Sequence, residues 1–503
     1  MRFVNSISAI ALLAMGALPA SAETPARETI RGVVTKQHDA TVKALQDWIA
    51  MPTIAAEKRN TAEGAEYMRK LALDAGFQKA EIIPTEGVPG VFATLDAGAR
   101  TTLGIYFMYD VKQYEPSEWS SPPLEARLVD RPGEGKAIVG RGAVNQKGPE
   151  MAFLAAIKAI QASGRKLPVN LVLVAEGEEE VASTNFAQVV AAPQVRAALA
   201  KSMGVFIPAA AQGKDGNAAI TLGAKGAIEF QLVVGGETSD RYPKTDIHSS
   251  NHARVESPAW RLVKALDTLV ADDGHTPTID GWFENVRPLT ARQKQLVAEG
   301  AKLNPEAEAK ALLGVGRWIG DEPYVTSLER LVSQPTVNIQ GLVAGYTGPG
   351  GKTVLPGRAE AKLEFRLVPA MTKDEAVSKL KAHLAKRGFD DVRVTVSGGY
   401  GPNETDEDSA LIRAQKVLFE KSGIPYSITP RNAGSWPGVI FNGPPLNLPA
   451  SQFGLSRGGG AHAPNEWFLV ESSNPKVNGL DEATLAFVDY LYIVAEEAKR
   501  PRR

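Results

Sequence analysis

The sequence predicts an α/β fold, in which a parallel-rich sheet flanked by helices is interrupted by an inserted α+β unit. Two observations lead to this prediction. Buried strands alternate with helices through the first 225 residues, which is typical of a parallel sheet. After Gly226 the strands alternate polar with apolar residues, and from about residue 400 the first pattern returns. One sheet interrupted by a second unit accounts for that order.

The elements of the main sheet follow from apolar spacing and from the glycines that end helices. Each predicted strand is a short, mostly apolar run, as in a sheet that is covered on both faces. Helices are predicted over residues 43–51, 65–77 and 148–164, and strands over residues 101–108, 169–176 and 203–209. The carboxyl ends of these strands should share one edge of the sheet, where open parallel sheets bind ligands.

The inserted unit is predicted to span residues 226–399, between two parts of the main unit at 27–225 and 400–503. Its strands are predicted over 227–236, 358–369 and 391–399, and its helices over 257–270 and 373–389. Helices over 409–423 and 480–500 should complete the main unit. A polar, helix-prone stretch from about residue 280 to 330 has no assigned place.

The first 22 residues are predicted to be a secretory signal peptide. Arg2 precedes the apolar run Ile7–Leu18, and the small residues Ala20–Ala22 precede the predicted cleavage site. The apolar run is too short to span a bilayer. We therefore expect a periplasmic or secreted chain, released after cleavage near Ala22.

The amino-acid composition excludes several classes of partner and of chemistry. The formal net charge is −1, so we expect neither nucleic acid nor a membrane as a partner. The chain contains no cysteine, which excludes disulfides, thiolate metal sites and cysteine nucleophiles. Chemistry is left to His, Asp, Glu, Ser and Thr.

The predicted strand ends supply the first candidate residues. Asp110 follows the first strand, and an acidic run over 176–180 follows the second, whereas the third ends in "FIPAAA" without an immediate polar group. Crowded carboxylates repel one another unless a metal ion or a shared proton relieves them, although an acidic helix N-terminus would also explain such a run. His462 lies in the glycine-rich "RGGGAHAPNEW", and His248 lies in "TDIHSSNHA".

These stretches, in this order, resemble the carnosinase, aminoacylase and bacterial carboxypeptidase family of two-zinc exopeptidases, peptidase family M20. The family's "H-x-D-V" is matched by "MYDV", its "W-x-x-P-P" by residues 119–123, and its "GRG-x-x-D-x-KG" by "GRGAVNQKG". Its "EG-x-EE-x-x-S", "HS" and "GAH" segments are matched by "EGEEEVAS", "IHSS" and "GAH", and the carnosinase-like "G-x-KTV-x-P" by "GGKTVLP". The resemblance implies a peptidase or amidohydrolase.

The resemblance also implies positions for two metal ions, and here the chain departs from the family. The ligands of one metal become Met108, Asn145 and Ala209, the last aligned within about one residue. A thioether and a methyl group are unsuitable ligands for a dication such as zinc. The ligands of the other metal become Glu180, His462 and Asn145, whose neutral amide is a weak ligand. We therefore expect at most one divalent metal, zinc being the expected ion, or none.

The remaining catalytic positions implied by the family are kept. Glu179 matches the general base, and Asp110 matches the residue that orients the lost metal-binding His. Without that imidazole, Asp110 is expected to hydrogen-bond His462, Asn145 or Lys147, or to take up a proton.

The substrate-binding positions are kept as well. Arg366 matches an arginine that binds the substrate carboxylate, and Thr353 and Ser435 match hydroxyl contacts to the substrate. His248 matches a histidine that, from a partner subunit, stabilises the oxyanion, so the inserted unit is expected to act as a lid and to form a homodimer.

Three functions remain open at this point. The first is an exported hydrolase that cleaves an amide bond next to a free carboxylate, in a small peptide or N-acyl amino acid. The second is a non-catalytic relative that binds such compounds. The third is a metal-free transferase or lyase on the same scaffold.

Overall fold

The computed structural model describes residues 25–501, so the predicted signal peptide lies outside the described residues. The first part of the chain builds most of the main sheet. Its helices are α1 (Pro25–Ala50), α2 (Thr61–Asp74), α3 (Gly148–Ala162), α4 (Phe186–Ala191) and α5 (Pro193–Leu199), and its strands are β1 (Lys79–Ile83), β2 (Gly90–Leu95), β3 (Thr102–Met108), β4 (Arg127–Arg131), β5 (Gly135–Val139), β6 (Asn170–Glu176), β7 (Ser202–Pro208), β8 (Ala218–Thr221) and β9 (Gly223–Ala224).

The next elements are longer strands with helices between them. The strands are β10 (Gly226–Gly235), β11 (Ile247–His248), β12 (Thr336–Ala344), β13 (Val354–Leu355), β14 (Arg358–Leu367) and β15 (Arg393–Tyr400), and the helices are α6 (Pro258–Asp267), α7 (Ala291–Leu303), α8 (Glu306–Leu313), α9 (Tyr324–Ser333) and α10 (Lys373–Lys386). The last part of the chain contains β16 (Asn403–Glu404), α11 (Ala410–Ser422), β17 (Tyr426–Thr429), α12 (Val439–Asn442), β18 (Ala450–Phe453), β19 (Gly458–Gly459), β20 (Trp467–Ser472) and α13 (Leu480–Glu497).

The main sheet has the strand order β1-β2-β6-β3-β7-β18. The strands β6, β3, β7 and β18 are parallel, whereas β1 and β2 are antiparallel to their neighbours. Helix α3 is buried along most of its length, and its Phe153 ring lies 5.5 Å from the ring of Phe487 in α13. The C-terminal part of the chain therefore completes both the sheet and the core beside it.

The inserted sheet is wholly antiparallel, with the order β12-β14-β10-β15. It has a hydrophobic core of its own, in which the Phe365 ring lies 4.5 Å from that of Phe230 and 4.7 Å from that of Trp282. Helices α6 and α10 contribute Leu262 and Leu380 to this core. The predicted fold class is confirmed.

The stretch from about 280 to 330, which the sequence left unassigned, forms α7, α8 and α9. Leu296 of α7 is buried in the core of the main sheet, not in that of the inserted sheet. Part of the predicted inserted unit thus packs against the main unit, and the domain boundaries at 226 and 399 stay a prediction.

A second antiparallel sheet, in the order β19-β20-β5-β4, joins distant parts of the chain. Val139 at the end of β5 pairs with Trp467 at the start of β20. The loop after β5 and the loop before β20 therefore emerge side by side. Between residues 25 and 501, no helix is both long and apolar enough to cross a membrane.

Glu407 links two helices that come from different parts of the chain. Arg292 of α7 donates to its carboxylate at 2.8 and 3.1 Å, and Lys416 of α11 donates at 2.7 Å. These hydrogen bonds lower the pKa of Glu407 to about 2, against the desolvation that would raise it.

We predict that Glu407→Gln lowers the free energy of unfolding at pH 7 by up to about 1 kcal/mol, since the ion pairs are partly exposed. A depressed pKa in the folded state means that this contribution is complete above the unfolded pKa and is lost as the pH falls towards about 2. Urea unfolding at pH 7 and pH 3 measures the difference between the two proteins. Glu81→Gln, on an exposed strand, is the control, and an equal difference at both pH values would contradict the prediction.

Candidate active site

A cavity of about 480 Å³ lies at the carboxyl ends of the parallel strands and is covered by the inserted sheet. Its floor comes from the segments after β3, β6 and β7, as expected for an open parallel sheet. Its cover comes from β10, β14 and the end of β15. The side chains that line it include Met108, Lys112, Asn145, Glu179, Glu180, Ala209, Glu364, Arg366, Tyr400, Ser435 and His462.

The structure brings together the three predicted metal-binding side chains. Asn145 Nδ2 donates to Glu180 Oε1 at 2.7 Å and lies 3.0 Å from His462 Nε2. The same His462 nitrogen lies 3.1 Å from Glu180 Oε2. Glu180 is buried, whereas the His462 side chain is 54% exposed. The three form one polar cluster with a buried carboxylate at its centre.

Glu466, which the sequence analysis missed, holds the loop that carries Asn145. Its carboxylate accepts a hydrogen bond from Arg141 at 2.7 Å and from the backbone N–H groups of Gly142, Val144 and Asn145 at 2.9 to 3.0 Å. Burial raises the pKa of Glu466, and these hydrogen bonds oppose that rise. The signal that could have found Glu466 is its position as the only acid in "RGGGAHAPNEW".

Asp110 has other partners than those predicted. Its carboxylate accepts the backbone N–H of Glu179 at 3.2 Å and that of Glu180 at 3.0 Å, rather than bonding His462, Asn145 or Lys147. The acidic run turns directly after β6, so its amides point at the end of β3. Burial, together with the charge of Glu180, raises the pKa of Asp110 to about 8, which favours the protonated form that the sequence analysis offered as its alternative.

Lys147, the remaining predicted partner of Asp110, points elsewhere. Its buried ammonium donates to the carbonyls of Trp48 at 2.8 Å and of Met51 at 3.2 Å. Burial lowers its pKa to about 7. Lys147 therefore links the loop that carries Asn145 to the end of α1, and its positive charge does not line the cavity.

Met108 stands where the family resemblance implies a metal-binding histidine. Its side chain is buried, and its backbone N–H donates to Glu150 of α3 at 2.9 Å. Glu150 is fully buried beneath it, and that burial raises the pKa of its carboxyl far above the usual range. Met108 is thus a packing residue in the wall of the cavity, as a buried methionine commonly is.

The two-metal centre implied by the resemblance does not fit these residues. Met108 offers a thioether and Ala209 a methyl group, and neither is a ligand for a hard or borderline dication. Across residues 25–501, no three His, Cys, Asp or Glu side chains are grouped so that they could hold a metal ion. Asn145 adds only a neutral amide to Glu180 and His462.

Glu179 faces the cavity beside the predicted substrate-binding residues. Its Oε1 lies 3.5 Å from the hydroxyl of Tyr400, which lies 3.3 Å from Ser435 Oγ. Arg366 Nη1 donates to the same Ser435 oxygen at 2.8 Å, and its Nε pairs with Glu364. Burial, and then the charges of Glu180 and Asp110, raise the pKa of Glu179 well above its usual value. The sequence offered no signal for Tyr400.

His248 and Thr353 lie together, but outside the lining of this cavity. His248 in β11 pairs with Val354 in β13, and the Ser249 N–H donates to the carbonyl of Thr353 at 3.1 Å. Both side chains are exposed. Their contact with substrate stays a prediction.

We predict that Glu466→Gln lowers the free energy of unfolding by about 3–5 kcal/mol, because Arg141 would be left as an unpaired buried charge. The glutamine amide would also place an N–H donor opposite the backbone N–H groups that the carboxylate accepts. Glu471→Gln, which removes an exposed pair with Lys136, should cost at most about 1 kcal/mol. Urea unfolding compares the two variants, and equal small losses would contradict the anchoring role of Glu466.

Comparison with known proteins agrees with this architecture. The crystal structure of an M20 family metallo-carboxypeptidase, Sso-CP2 from Sulfolobus solfataricus, is 31% identical, covers 91% of this chain and 99% of its own, and superposes with a TM-score of 0.80. The Cys-Gly metallodipeptidase dug1 of Schizosaccharomyces pombe is 28% identical over 371 residues, which are 70% of this chain and 74% of that protein. The Beta-Ala-His dipeptidase of Rattus norvegicus is 28% identical over 368 residues, 69% of this chain and 71% of its own.

The match to a family extends over most of the chain. Residues 107–485 match the family described as Peptidase family M20/M25/M40. That range begins within β3 and ends within α13, so it includes the acidic run, the inserted sheet and the His462 loop. This chain therefore belongs to Peptidase family M20/M25/M40 and is a peptidase by family.

Proposed function

We propose that this chain is an exported hydrolase that cleaves an amide bond next to a free carboxylate, in a dipeptide-like substrate or an N-acyl amino acid. The observation that carries the proposal is that Glu179, Tyr400, Ser435 and Arg366 line one cavity and are linked through neighbouring contacts. The names of the relatives, a Cys-Gly dipeptidase and a Beta-Ala-His dipeptidase, support a substrate of two residues.

Arg366 binds the substrate carboxylate in this proposal. A guanidinium is planar and presents parallel N–H groups that match the two oxygens of a carboxylate. The bond from Arg366 Nη1 to Ser435 and the ion pair from its Nε to Glu364 hold the plane of the guanidinium. A carboxylate that approaches from the cavity therefore meets an oriented cation.

Glu179 is the general base. It takes a proton from a water molecule as the water oxygen attacks the amide carbon, and it returns that proton to the nitrogen as the C–N bond breaks. One water is consumed, and a carboxylate and an amine are released. A base works best when its pKa lies near the working pH, and burial beside Glu180 raises that of Glu179 in this direction.

The metal requirement is proposed to be one divalent ion at most. The support is chemical: Glu180 and His462 are ordinary zinc ligands, and Asn145 is a weak one beside them. No step of the proposed reaction is assigned to such an ion. The loss of the other ligand set also favours a second candidate, a non-catalytic relative that binds the same compounds.

We predict that Glu179→Gln reduces kcat by about 10²–10⁴-fold, because proton transfer is lost while the substrate contacts remain. A panel of dipeptides and N-acyl amino acids, assayed with and without chelator, measures the effect. Arg366→Lys serves as the contrast, since it should mainly raise KM for substrates with a free carboxylate.

Elemental analysis completes this experiment. Protein purified without chelator should carry no more than one zinc per chain, and His462→Ala should remove it. Two tightly bound metals per chain would contradict the proposed site. Substrate binding without turnover, measured by calorimetry on the unmodified chain, would favour the binding relative.

A homodimer formed through the inserted sheet is part of the proposal. β12 is an edge strand, and it exposes the apolar residues Ile339, Leu342 and Val343. Trp260 of α6 is 61% exposed. Exposed apolar strands and aromatic side chains of this kind are typical of a surface that another chain covers. His248 and Thr353 would then serve the cavity of the partner subunit.

Mixing His248→Ala protein with Glu179→Gln protein is predicted to restore activity in about a quarter of the sites, because a mixed C2 dimer holds one complete site. The measurement is the rate after subunit exchange, with each variant alone as the control. A monomer by light scattering, or no recovery, would contradict the arrangement in trans.

Export is proposed on the pattern of the first 22 residues alone. A chain recovered from the periplasm or the medium should begin at Glu23 by mass spectrometry. A full-length chain in the cytoplasm would contradict the proposal.

A further inference from the structure

Lys112 lies beside Glu180, the buried carboxylate in the lining of the cavity. Its ammonium is 3.6 Å from Glu180 Oε2, and it also donates to the backbone carbonyl of Glu180. The Lys112 side chain is 28% exposed and lines the cavity, whereas that of Glu180 is 3% exposed. The Lys112 ammonium therefore lies on the more exposed side of the buried Glu180 carboxylate.

The positive charge of Lys112 offsets negative charges of the acids around it. Glu179 and Glu180 line the same end of the cavity, and the Asp110 carboxylate lies against their backbone N–H groups. Buried carboxylates repel one another without a nearby positive charge. Two other cations have partners elsewhere. Lys147 donates to the backbone carbonyls of Trp48 and Met51, and Arg366 contacts Glu364 and Ser435. Lys112 is the lysine beside Glu180, and His462, 3.1 Å from the same carboxylate, is the other side chain there that can carry a positive charge.

The same position explains the disagreement between the family's two-metal chemistry and this chain. Met108 and Ala209 provide no metal-binding atom on the wall of the cavity, and Lys112 follows four residues after Met108 on the same strand end. A fixed ammonium beside Glu180 repels a dication at that carboxylate. The lack of metal-binding atoms at Met108 and Ala209 and the positive charge of Lys112 beside Glu180 both weaken the binding of a dication.

We propose that the Lys112 ammonium is the resident cation of this site, compensating Glu180 and donating a hydrogen bond to the substrate carbonyl oxygen during hydrolysis. This inference rests on the proposed function. When the water oxygen bonds to the amide carbon, the C=O electron pair moves to the carbonyl oxygen, where a hydrogen-bond donor stabilises the new charge. Glu179 carries the proton from water to the leaving nitrogen, and Lys112 keeps its own proton throughout.

The first test is kinetic. Lys112→Gln should lower kcat by about 10²–10³-fold, the usual cost of removing one donor to an oxyanion, with little change in KM. Lys112→Arg keeps the charge and should recover part of that loss, which a purely structural role would not predict. Lys166→Gln removes an exposed lysine at the opposite end of β6 and should match the wild type.

The second test measures zinc affinity and does not depend on catalytic turnover. Zinc titrated into the metal-free protein, against a competing chelator, should bind Lys112→Gln at least about tenfold more tightly than the wild type or Lys112→Arg, because the repelling charge is gone. A zinc affinity equal to that of the wild type would overturn the inference. Thermal unfolding of each variant establishes that it is folded before the titration.

The two tests separate this inference from the proposed function. A wild-type chain that is inactive on the whole panel would contradict the proposed function, and the zinc titration would still decide whether Lys112 is the resident cation. An active wild type with an equally active Lys112→Gln would overturn the inference and leave the proposed function standing.

Discussion

The site depends on one buried carboxylate, that of Glu466. It lies in the loop before β20 and accepts an ion-paired hydrogen bond from Arg141 and three backbone N–H groups of the loop after β5. Pairing of β5 with β20 brings these loops together, and the carboxylate then holds the position of Asn145. In that position Asn145 contacts both Glu180 and His462. Removing the charge would leave Arg141 buried without its partner, so the arrangement is retained as a unit.

Around this anchor the cavity has an excess of acid. Asp110, Glu179 and Glu180 follow the ends of neighbouring parallel strands, and burial raises the pKa of the first two. Backbone amides at the turn after β6 and a lysine ammonium satisfy part of this charge. This peptidase thus offsets a group of neighbouring acids with amides and an ammonium of its own chain.

The inserted sheet covers one side of a cavity that would otherwise be an open edge of the main sheet. It supplies Arg366 and Tyr400 from above, while the main sheet supplies the acids from below. Helix α7 packs its Leu296 into the main core, so the inserted segment is attached at more than its two connections. The distance between the two sets of residues therefore depends on packing between units, and small movements of the cover would change it.

Sequence patterns alone predict the fold class, seven of the helices, six of the strands and the residues at the strand ends. Local periodicity reports which face of an element is buried, and strand ends in a parallel sheet must meet at one edge. Short stretches that match the family also led to the prediction that metal ligands are replaced, and this stays a prediction. The long-range contacts became known from the folded chain. Asp110 accepts the amides of the acidic run, and Lys112 lies beside Glu180. Glu466 anchors the Asn145 loop, and Leu296 belongs to the main core. The physical reason is that these contacts join side chains and turns that are far apart in the chain, and no periodic pattern in the sequence encodes which loops will meet.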